Sequence, residues 1–310
     1  RYFDMRIAEG ITLTGQATIK WAEQHLNNYL NETLETDKDY VVAIDTDSVY
    51  VRLDEFVNRL GPAKPVDFLD KMCSTALEGA LSECYDRLFK MLGGIENKMV
   101  MGREVIADRG IWTAKKRYIL NVHDNEGVRY AQPKLKIMGI EAVKSSTPAP
   151  CRNKIKEALK VIMTKDESAL IEFIDDFRTK FKKLSPEEIA YPRSCNNLKK
   201  YGSRTTIYKK SCPIHVRGAL LYNNLLKKKK LKKYEQIQEG DKVKFIQLKE
   251  PNPLRENVIS FIGALPKEFD LHKYIDYDNQ FDKSFLEPLR FIVNAIDWSF
   301  ERQSTLEEFF

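Results

Sequence analysis

Two carboxylates lie two residues apart, at Asp45 and Asp47, between two short runs of β-branched and aromatic residues. Those runs, 40–44 and 49–53, predict a β-hairpin with the two aspartates at its tip. Carboxylates held this close repel each other and raise each other's pKa unless a cation lies between them. The stretch indicates either an acidic turn, for which Asp and Ser are ordinary residues, or a site for Mg²⁺ or Mn²⁺. A metal site would need further carboxylates from elsewhere.

The elements around this hairpin predict an α+β domain with an antiparallel sheet and packed helices. Apolar periodicity predicts helices over 14–34 and 66–92, the second ending at Gly93 and Gly94. Strand-like stretches follow at 97–106, 111–122 and 128–143, with a turn at 125–127. The segment 145–150 is rich in Ser and Pro and marks a boundary. Beyond it, the pattern predicts mostly helices, at 154–164, 167–184, 215–226 and 281–295, with a helix start at Ser185 and a strand at 243–249.

The composition predicts a folded, soluble protein in a reducing compartment. The chain has 310 residues, of which 43% are hydrophobic and 31% charged. No apolar run approaches the ~20 residues of a membrane span. The five cysteines form no CxxC pair, so neither a zinc site nor a disulfide framework is indicated. The first residue is Arg1 rather than Met, which suggests a processed, trimmed or excerpted chain.

Positive charge is concentrated in residues 196–245. This stretch holds 14 Lys and Arg against three acidic residues, a net charge of +11, although the whole chain carries only +6. A charge distribution this uneven is typical of proteins that bind a polyanion. The run Lys227 to Lys233, taken by itself, is equally typical of a solvated loop.

Several separated stretches occur in the order and spacing of a known family. Residues 45–48 resemble motif C of the family B DNA polymerases; 103–106 and 113–118 resemble the palm strands that follow it. Residues 133–139 and 144–148 resemble the palm-to-thumb crossing, and 212–218 resemble a thumb segment. Together they resemble the polymerases of the T-even bacteriophages. The resemblance implies a palm over 1–144, a mostly helical thumb over 145–302 and a tail peptide over 303–310.

For the chemistry, the resemblance implies template-directed nucleotidyl transfer from dNTP to primer-template DNA with two Mg²⁺ ions, Mn²⁺ being an alternative. It assigns Asp47 and Asp45 to the metal and Glu104 to an outer carboxylate. The family's motif A aspartate, its fingers with motif B and its exonuclease are not found in the sequence. We therefore expect an upstream segment or a separate subunit to supply them, and we expect this chain to be inactive alone.

The resemblance also implies residues that contact DNA and a sliding clamp. Lys115, Lys116, Arg117 and Tyr118 resemble a primer-template motif, and strand alternation would aim Lys116 and Tyr118 to one face. Lys134, Lys136, His215 and Arg217 are further candidates for phosphate contacts. Gln303, Leu306, Phe309 and Phe310 resemble a clamp-binding peptide. For Lys115 to Tyr118 the alternative is a basic exposed strand, and for His215 it is a structural role. For the terminal residues from Gln303 the alternative is a frayed tail.

Two hypotheses of other classes stay open at this point. One is a non-catalytic DNA-binding or clamp-adaptor protein that keeps the polymerase fold, and the other is a generic basic globular protein. The aspartate pair favours the enzyme, because a binding protein has no reason to keep two repelling anions. The resemblance further implies that the protein acts in the cytoplasm of an infected host cell.

Overall fold

The computed structural model of the protein describes residues 4–140 and 144–300. It divides the chain into two compact units, Arg1–Gly110 with Ile119–Lys136 and Ile111–Tyr118 with Ile137–Phe310. The predicted palm–thumb boundary after residue 144 stays a prediction, since this division falls between 136 and 137 and separates 111–118 as well. Within the described ranges, no helix has both the length and the apolar character to cross a membrane.

The first unit begins with helices that enclose a short hairpin. Its elements are α1 (Met5–Leu34), β1 (Val41–Asp45), β2 (Ser48–Val51), α2 (Asp54–Leu60), α3 (Pro65–Met72), a π-helical turn (Cys73–Leu77) and α4 (Glu78–Met91). The Asp4 side chain caps α1 by accepting a hydrogen bond from the backbone N–H of Arg6. The predicted hairpin and the two predicted helices are confirmed, although α1 begins nine residues earlier than its apolar periodicity indicated.

The core of this unit is the face that α1 presents to α4. Ala22, Leu26, Leu30 and Leu34 recur every four residues on α1 and are buried. They form one cluster with Leu77, Leu81 and Tyr85 of the π-helical turn and α4. Each buried Leu contributes about 1.5–3 kcal/mol through removal of apolar surface from water. This cluster is the support on which the hairpin rests.

A three-stranded sheet follows, in the order β3-β4-β5. Its strands are β3 (Val105–Ala114), β4 (Arg117–Asn125) and β5 (Val128–Met138). Two-residue turns join them, and such short connections pair only antiparallel strands. The predicted turn at 125–127 is confirmed. The prediction of one strand over 111–122 was wrong, because the chain reverses at Lys115 and Lys116.

The prediction of a strand over 97–106 was also wrong for most of its length, because 97–104 is neither helix nor strand. Polar side chains satisfy this backbone instead of a neighbouring strand. Asn97 Oδ1 accepts from the backbone N–H of Met99 at 2.9 Å, and Glu78 Oε1 accepts from that of Arg103 at 2.9 Å. Val100 is 90% exposed. A short apolar run therefore resembled a strand, but within 4–140 and 144–300 no partner strand pairs with it.

The second unit alternates helices with short strands. Its elements are α5 (Ala149–Thr164), α6 (Glu167–Phe181), α7 (Pro186–Ile189), β6 (Tyr191–Ser194), α8 (Leu198–Tyr201), β7 (Gly202–Ser203), β8 (Ile207–Tyr208), α9 (Ile214–Lys228), β9 (Lys242–Gln247), β10 (Val258–Phe261), α10 (Tyr277–Phe281), a π-helical turn (Asp282–Leu286) and α11 (Glu287–Asn294). A capping box from Ser185 to Glu188 starts α7, as predicted. The α+β class predicted from the sequence is confirmed.

Close backbone approach and aromatic packing hold the second unit together. The sheet β10-β9-β6 packs against α9, where Gly218 lies against the backbone and hydroxyl of Ser260. A side chain at position 218 would overlap both groups, so only glycine fits. The rings of Phe177, Phe181 and Phe285 join a buried aromatic cluster, with centroids 4.8 Å apart for Phe177 and Phe285. This packing fixes α9, whose first turn carries two of the predicted DNA contacts.

Candidate active site and nucleic-acid interface

The two aspartates lie at the tip of the β1–β2 hairpin, where the sequence placed them. Ile44 pairs with Val49 and Asp45 with Ser48, so only Thr46 and Asp47 form the turn. Thr46 has a φ of 55°, because a two-residue hairpin turn needs a positive φ at its first central position. Ile44 and Val49 are half-buried against the core cluster. The hairpin is thus anchored from below while its tip is open to solvent.

The two carboxylates have different surroundings. Asp45 is half-buried, and its Oδ1 accepts a hydrogen bond of 3.1 Å from the Thr46 hydroxyl. The Asp45 carbonyl oxygen accepts from the backbone N–H of Asp47 at 2.6 Å and from the Ser48 hydroxyl at 3.1 Å. Asp47 is exposed, and its carboxylate forms no side-chain hydrogen bond or ion pair with a described residue. The Asp47 carboxylate is therefore open to an incoming ligand.

The two aspartates are the type of ligand that Mg²⁺ prefers, but they are too few to form a complete site. The donors are hard carboxylate oxygens on a fixed hairpin, which suits Mg²⁺. Across 4–140 and 144–300, however, no three or more His, Cys, Asp or Glu side chains come together as a metal-binding group. Glu104 therefore does not join the two aspartates in a group of that kind. Two carboxylates alone make a poor site, because Mg²⁺ holds its water ligands tightly.

Glu104 is paired with another predicted site residue. Its Oε1 accepts a hydrogen bond of 2.5 Å from Lys136 Nζ, on β5. Its backbone carbonyl oxygen accepts from the backbone N–H of Glu126 at 2.6 Å. Lys134, two residues before Lys136, is exposed and places its ammonium 4.1 Å from the centre of the Tyr130 ring. Lys136 is therefore partly neutralised by Glu104, whereas Lys134 presents its full charge.

A buried ion-pair network next to Glu104 was missed by the sequence reasoning. The Arg103 guanidinium donates to both Asp70 and Asp124. The Asp124 side chain is fully buried and also lies 3.4 Å from Arg129 Nε. Asp124 Oδ1 accepts from the backbone N–H of Gly127 at 3.0 Å. Because these partners are 21 and 33 residues from Arg103 in sequence, no local pattern could have indicated the network.

The segment 115–118 is a turn and the start of a strand, not one alternating strand. Lys115 and Lys116 form the turn between β3 and β4, with a φ of 61° at Lys116. Both lysines and Arg117 are exposed, whereas Tyr118 is only 6% exposed. The expectation that strand alternation aims Lys116 and Tyr118 to one face is therefore wrong, because Lys116 lies in the turn and Tyr118 is buried. The turn presents three consecutive cations, and Tyr118 packs beneath them with its ring 6.2 Å from that of Trp112.

His215 and Arg217 lie in the first turn of α9 and are both half-buried. Burial, with a smaller contribution from the charge of Arg193, lowers the pKa of His215 from its usual 6.5. His215 is therefore a neutral hydrogen-bonding group at neutral pH. Arg217 donates a hydrogen bond of 2.5 Å to Asn257 Oδ1 and lies 3.9 Å from Glu256 Oε2. Part of the positive charge of Arg217 is thus compensated within the unit.

Two phage polymerases are similar to this chain over its whole length. Over 330 aligned positions, the chain is 36% identical to the DNA-directed DNA polymerase of Escherichia phage RB69. It is similar to part of a phage DNA polymerase. Over 329 positions it is also 33% identical to the DNA-directed DNA polymerase of Enterobacteria phage T4. Each alignment covers 100% of this chain and 36% of the relative. No protein-family model matches the chain.

The resemblance to a polymerase of the T-even bacteriophage type is therefore confirmed, and the chain spans about a third of those polymerases. The roles of the individual residues stay predictions. Within each unit, the structure gathers Asp45 with Asp47, Glu104 with Lys136, and Lys115 to Arg117. The predicted clamp-binding residues Gln303, Leu306, Phe309 and Phe310 lie outside the described residues.

Proposed function

We propose that this chain is the palm and thumb portion of a family B DNA polymerase that carries out template-directed nucleotidyl transfer. One observation supports this most: the whole chain aligns with two phage polymerases. The open Asp47 carboxylate on an anchored hairpin agrees with it. A protein that only bound DNA would gain nothing from two repelling carboxylates at one hairpin tip.

In this proposal Asp45 and Asp47 hold Mg²⁺ when the enzyme is complete. The bound ions would supply activation of the primer 3′-hydroxyl and neutralisation of the nucleotide triphosphate. The hairpin contributes by keeping both carboxylates at one tip. The Thr46 hydroxyl donates to the Asp45 carboxylate, and the Ser48 hydroxyl donates to the Asp45 backbone carbonyl and holds the turn. Glu104 serves as an outer carboxylate. The third ligand comes from the part of the polymerase that this chain does not span.

The basic residues position primer-template DNA through its phosphates. Exposed cations are present at Lys115 and Lys116 in the turn and at Arg117 and Lys134 on the strands. Lys136 adds a half-buried cation. Arg217 adds a guanidinium, and His215 adds a neutral donor. Contacts of this kind fix the register of a duplex without reading its sequence, which suits an enzyme that copies any template.

The proposed enzyme also needs partners. A polymerase segment or subunit with motif A, fingers and exonuclease completes it, and the tail from Gln303 to Phe310 docks on a sliding clamp. Four apolar side chains near the start of α1, those of Met5, Ile7, Ile11 and Leu13, are 56% to 70% exposed. Exposed apolar side chains concentrated near one helix end agree with a surface that a partner covers. All of this takes place in the cytoplasm of the infected host cell.

A chimeric polymerase tests the proposal. This chain replaces the aligned 36% of the phage RB69 polymerase, and primer extension and primer-template binding are measured in Mg²⁺. We expect the chimera to extend primers. Asp47→Asn should abolish extension and leave DNA binding intact, because Asp47 contacts metal rather than phosphate. Asp37→Asn, which removes an exposed carboxylate in the same unit, is the control and should behave like the unsubstituted chimera.

Two outcomes would contradict the proposal. The first is a chimera that binds primer-template but extends it no faster than the Asp47→Asn chimera does. The second is Asp47→Asn with full extension, which would remove Asp47 from the site. Asp45→Asn should also be severe, since Asp45 lies at the same hairpin tip.

A further inference from the structure

The lysine run, residues 227–233, begins in the last turn of α9 and continues past its end. It contains six lysines, all of them exposed, interrupted only by Leu231. The proposed catalysis and the proposed palm contacts give these residues no role. The run is nevertheless the densest concentration of charge in the sequence.

The backbone of the run is ordered rather than loose. The N–H of Leu231 donates to the carbonyl of Leu226 at 3.0 Å, and that of Lys230 donates to the carbonyl of Lys227 at 3.2 Å. This is the usual pattern of a helix that ends on a left-handed residue. Lys229 Nζ donates to the backbone carbonyl of Glu268 at 2.7 Å. The end of α9 and the residues after it are thus pinned to the segment around Glu268.

Glu268, the acidic side chain that pairs with the run, is already engaged. Glu268 pairs with Lys233 and accepts a hydrogen bond of 2.8 Å from the Tyr234 hydroxyl. The hydrogen bond from Lys233 lowers the pKa of Glu268 to about 2. Within the lysine run, four ammonium groups form no hydrogen bond or ion pair with a described residue, those of Lys227, Lys228, Lys230 and Lys232.

The helix dipole explains only part of the run. Cations in a last turn stabilise a helix, which accounts for Lys227 and Lys228. Lys230, however, has a φ of 53°, in the left-handed region that glycine adopts without strain. Lys230 thus has a side chain at a position whose backbone conformation favours glycine. The helix dipole therefore does not account for the lysine at position 230.

We infer that the lysine run is a second contact for the phosphate backbone of duplex DNA. The inference rests on the proposed function, which places Arg217 against the same duplex. Lys228 lies 11 residues after Arg217 on α9, or about 16 Å along the helix. At 3.4 Å per base pair, this is about five base pairs of duplex. The run therefore lengthens the duplex that the thumb holds.

Two DNA ligands that differ only in duplex length, by about ten base pairs, test this. Each is titrated with the 310-residue chain at several salt concentrations. Lys227→Gln with Lys228→Gln should lower affinity for the long ligand and reduce the slope of log K against log salt by about two units. Affinity for the short ligand should not change. The matched control is Lys156→Gln with Lys160→Gln, which removes two exposed lysines of α5.

The outcomes separate this inference from the proposed function. Unchanged slope and affinity on the long ligand, with normal binding by the wild-type chain, would overturn the inference alone. An equal loss in the α5 control would also overturn it, because net charge would then explain the effect. Failure of the wild-type chain to bind either ligand would contradict the proposed function and this inference together.

Lys230→Gly tests the inference because it should change stability and DNA affinity in opposite directions. Removal of the strained side chain should raise the melting temperature, while affinity for the long ligand should fall and the slope should drop by about one unit. Asp270→Gly is the control, since Asp270 is exposed in the same unit and has a φ of 56°. It should raise the melting temperature without lowering affinity. A Lys230→Gly chain that binds as tightly as wild type would remove Lys230 from the contact.

Discussion

Gly139 lies so close to the backbone of Lys116 that a Cβ at position 139 would overlap the Lys116 carbonyl oxygen. Gly139 also has a φ of 67°. Both facts require glycine. Because Lys115 and Lys116 form the exposed turn proposed to contact DNA, Gly139 determines where that turn lies. The relationship joins the end of β5 to the turn between β3 and β4, both within the second unit.

Gly139→Ala should displace the Lys115–Lys116 turn. We expect weaker primer-template binding and a loss of stability beyond the about 1–2 kcal/mol that a left-handed alanine costs. Gly263→Ala is a matched control, since Gly263 has a φ of 66° but no atom within 4 Å of an added Cβ. Urea unfolding and DNA titration of both variants measure the difference. Equal effects of the two substitutions would show that the close approach has no role.

The Glu104–Lys136 pair predicts a gain of DNA affinity on removal of a carboxylate. Glu104→Gln should free the Lys136 ammonium for phosphate and steepen the salt dependence by about one unit of slope. Glu96→Gln, which breaks the exposed pair of Glu96 with Lys98, is the control and should leave the slope unchanged. Fluorescence anisotropy at several salt concentrations measures both. An unchanged slope for Glu104→Gln would mean that Lys136 does not face DNA.

The buried network around Asp124 predicts a large loss of stability. Asp124→Asn leaves Arg103 without its fully buried partner and should cost about 3–5 kcal/mol. Asp54→Asn breaks the exposed pair with Arg52 and should cost no more than about 1 kcal/mol. Urea denaturation of the two variants gives the comparison. If the two losses are similar, the network does not stabilise the unit in the way that its burial indicates.

His215 predicts a specific pH dependence. Its pKa is lowered in the folded state by burial and by Arg193, so the unfolded chain takes up a proton first as pH falls. The stability contributed by neutral His215 is present above pH 6.5 and is lost as pH falls below 6.5 towards the lowered pKa. His215→Asn should remove this part of the pH dependence. Unfolding free energies measured from pH 8 down to about pH 5 test it. A variant curve parallel to wild type would contradict it.

The tail from Gln303 to Phe310 predicts a defect confined to clamp-dependent synthesis. Its deletion from the chimeric polymerase should spare extension of short primers, because the proposed role of the tail is to bind the clamp rather than metal or duplex DNA. Synthesis over long templates in the presence of the clamp should lose its stimulation. A chain with the tail sequence scrambled controls for length. A truncated enzyme that still responds to its clamp would leave the tail without a function.

The sequence predicted the hairpin correctly because the information is local. Asp45 to Ser48 are turn residues between β-branched runs, and adjacent strands need no distant partner to pair. The helices α1 and α4 were predicted for a similar reason, since apolar periodicity follows from their buried faces. The turn at Lys115 and Lys116 was missed because neither residue is a typical turn former. Its positive φ is tolerated where Gly139 makes room for the backbone.

The α+β class, the aspartate hairpin, most helices and the relationship to phage polymerases were all predicted from the sequence alone. These features depend on local propensity, on periodicity and on the order of motifs, all of which are contained in the linear sequence. The packed structure was needed to show that Tyr118 is buried, that Glu104 pairs with Lys136 and that Asp124 lies between Arg103 and Arg129. Each of these depends on burial and on charges brought together from distant positions, because side chains become neighbours only when helices and strands pack.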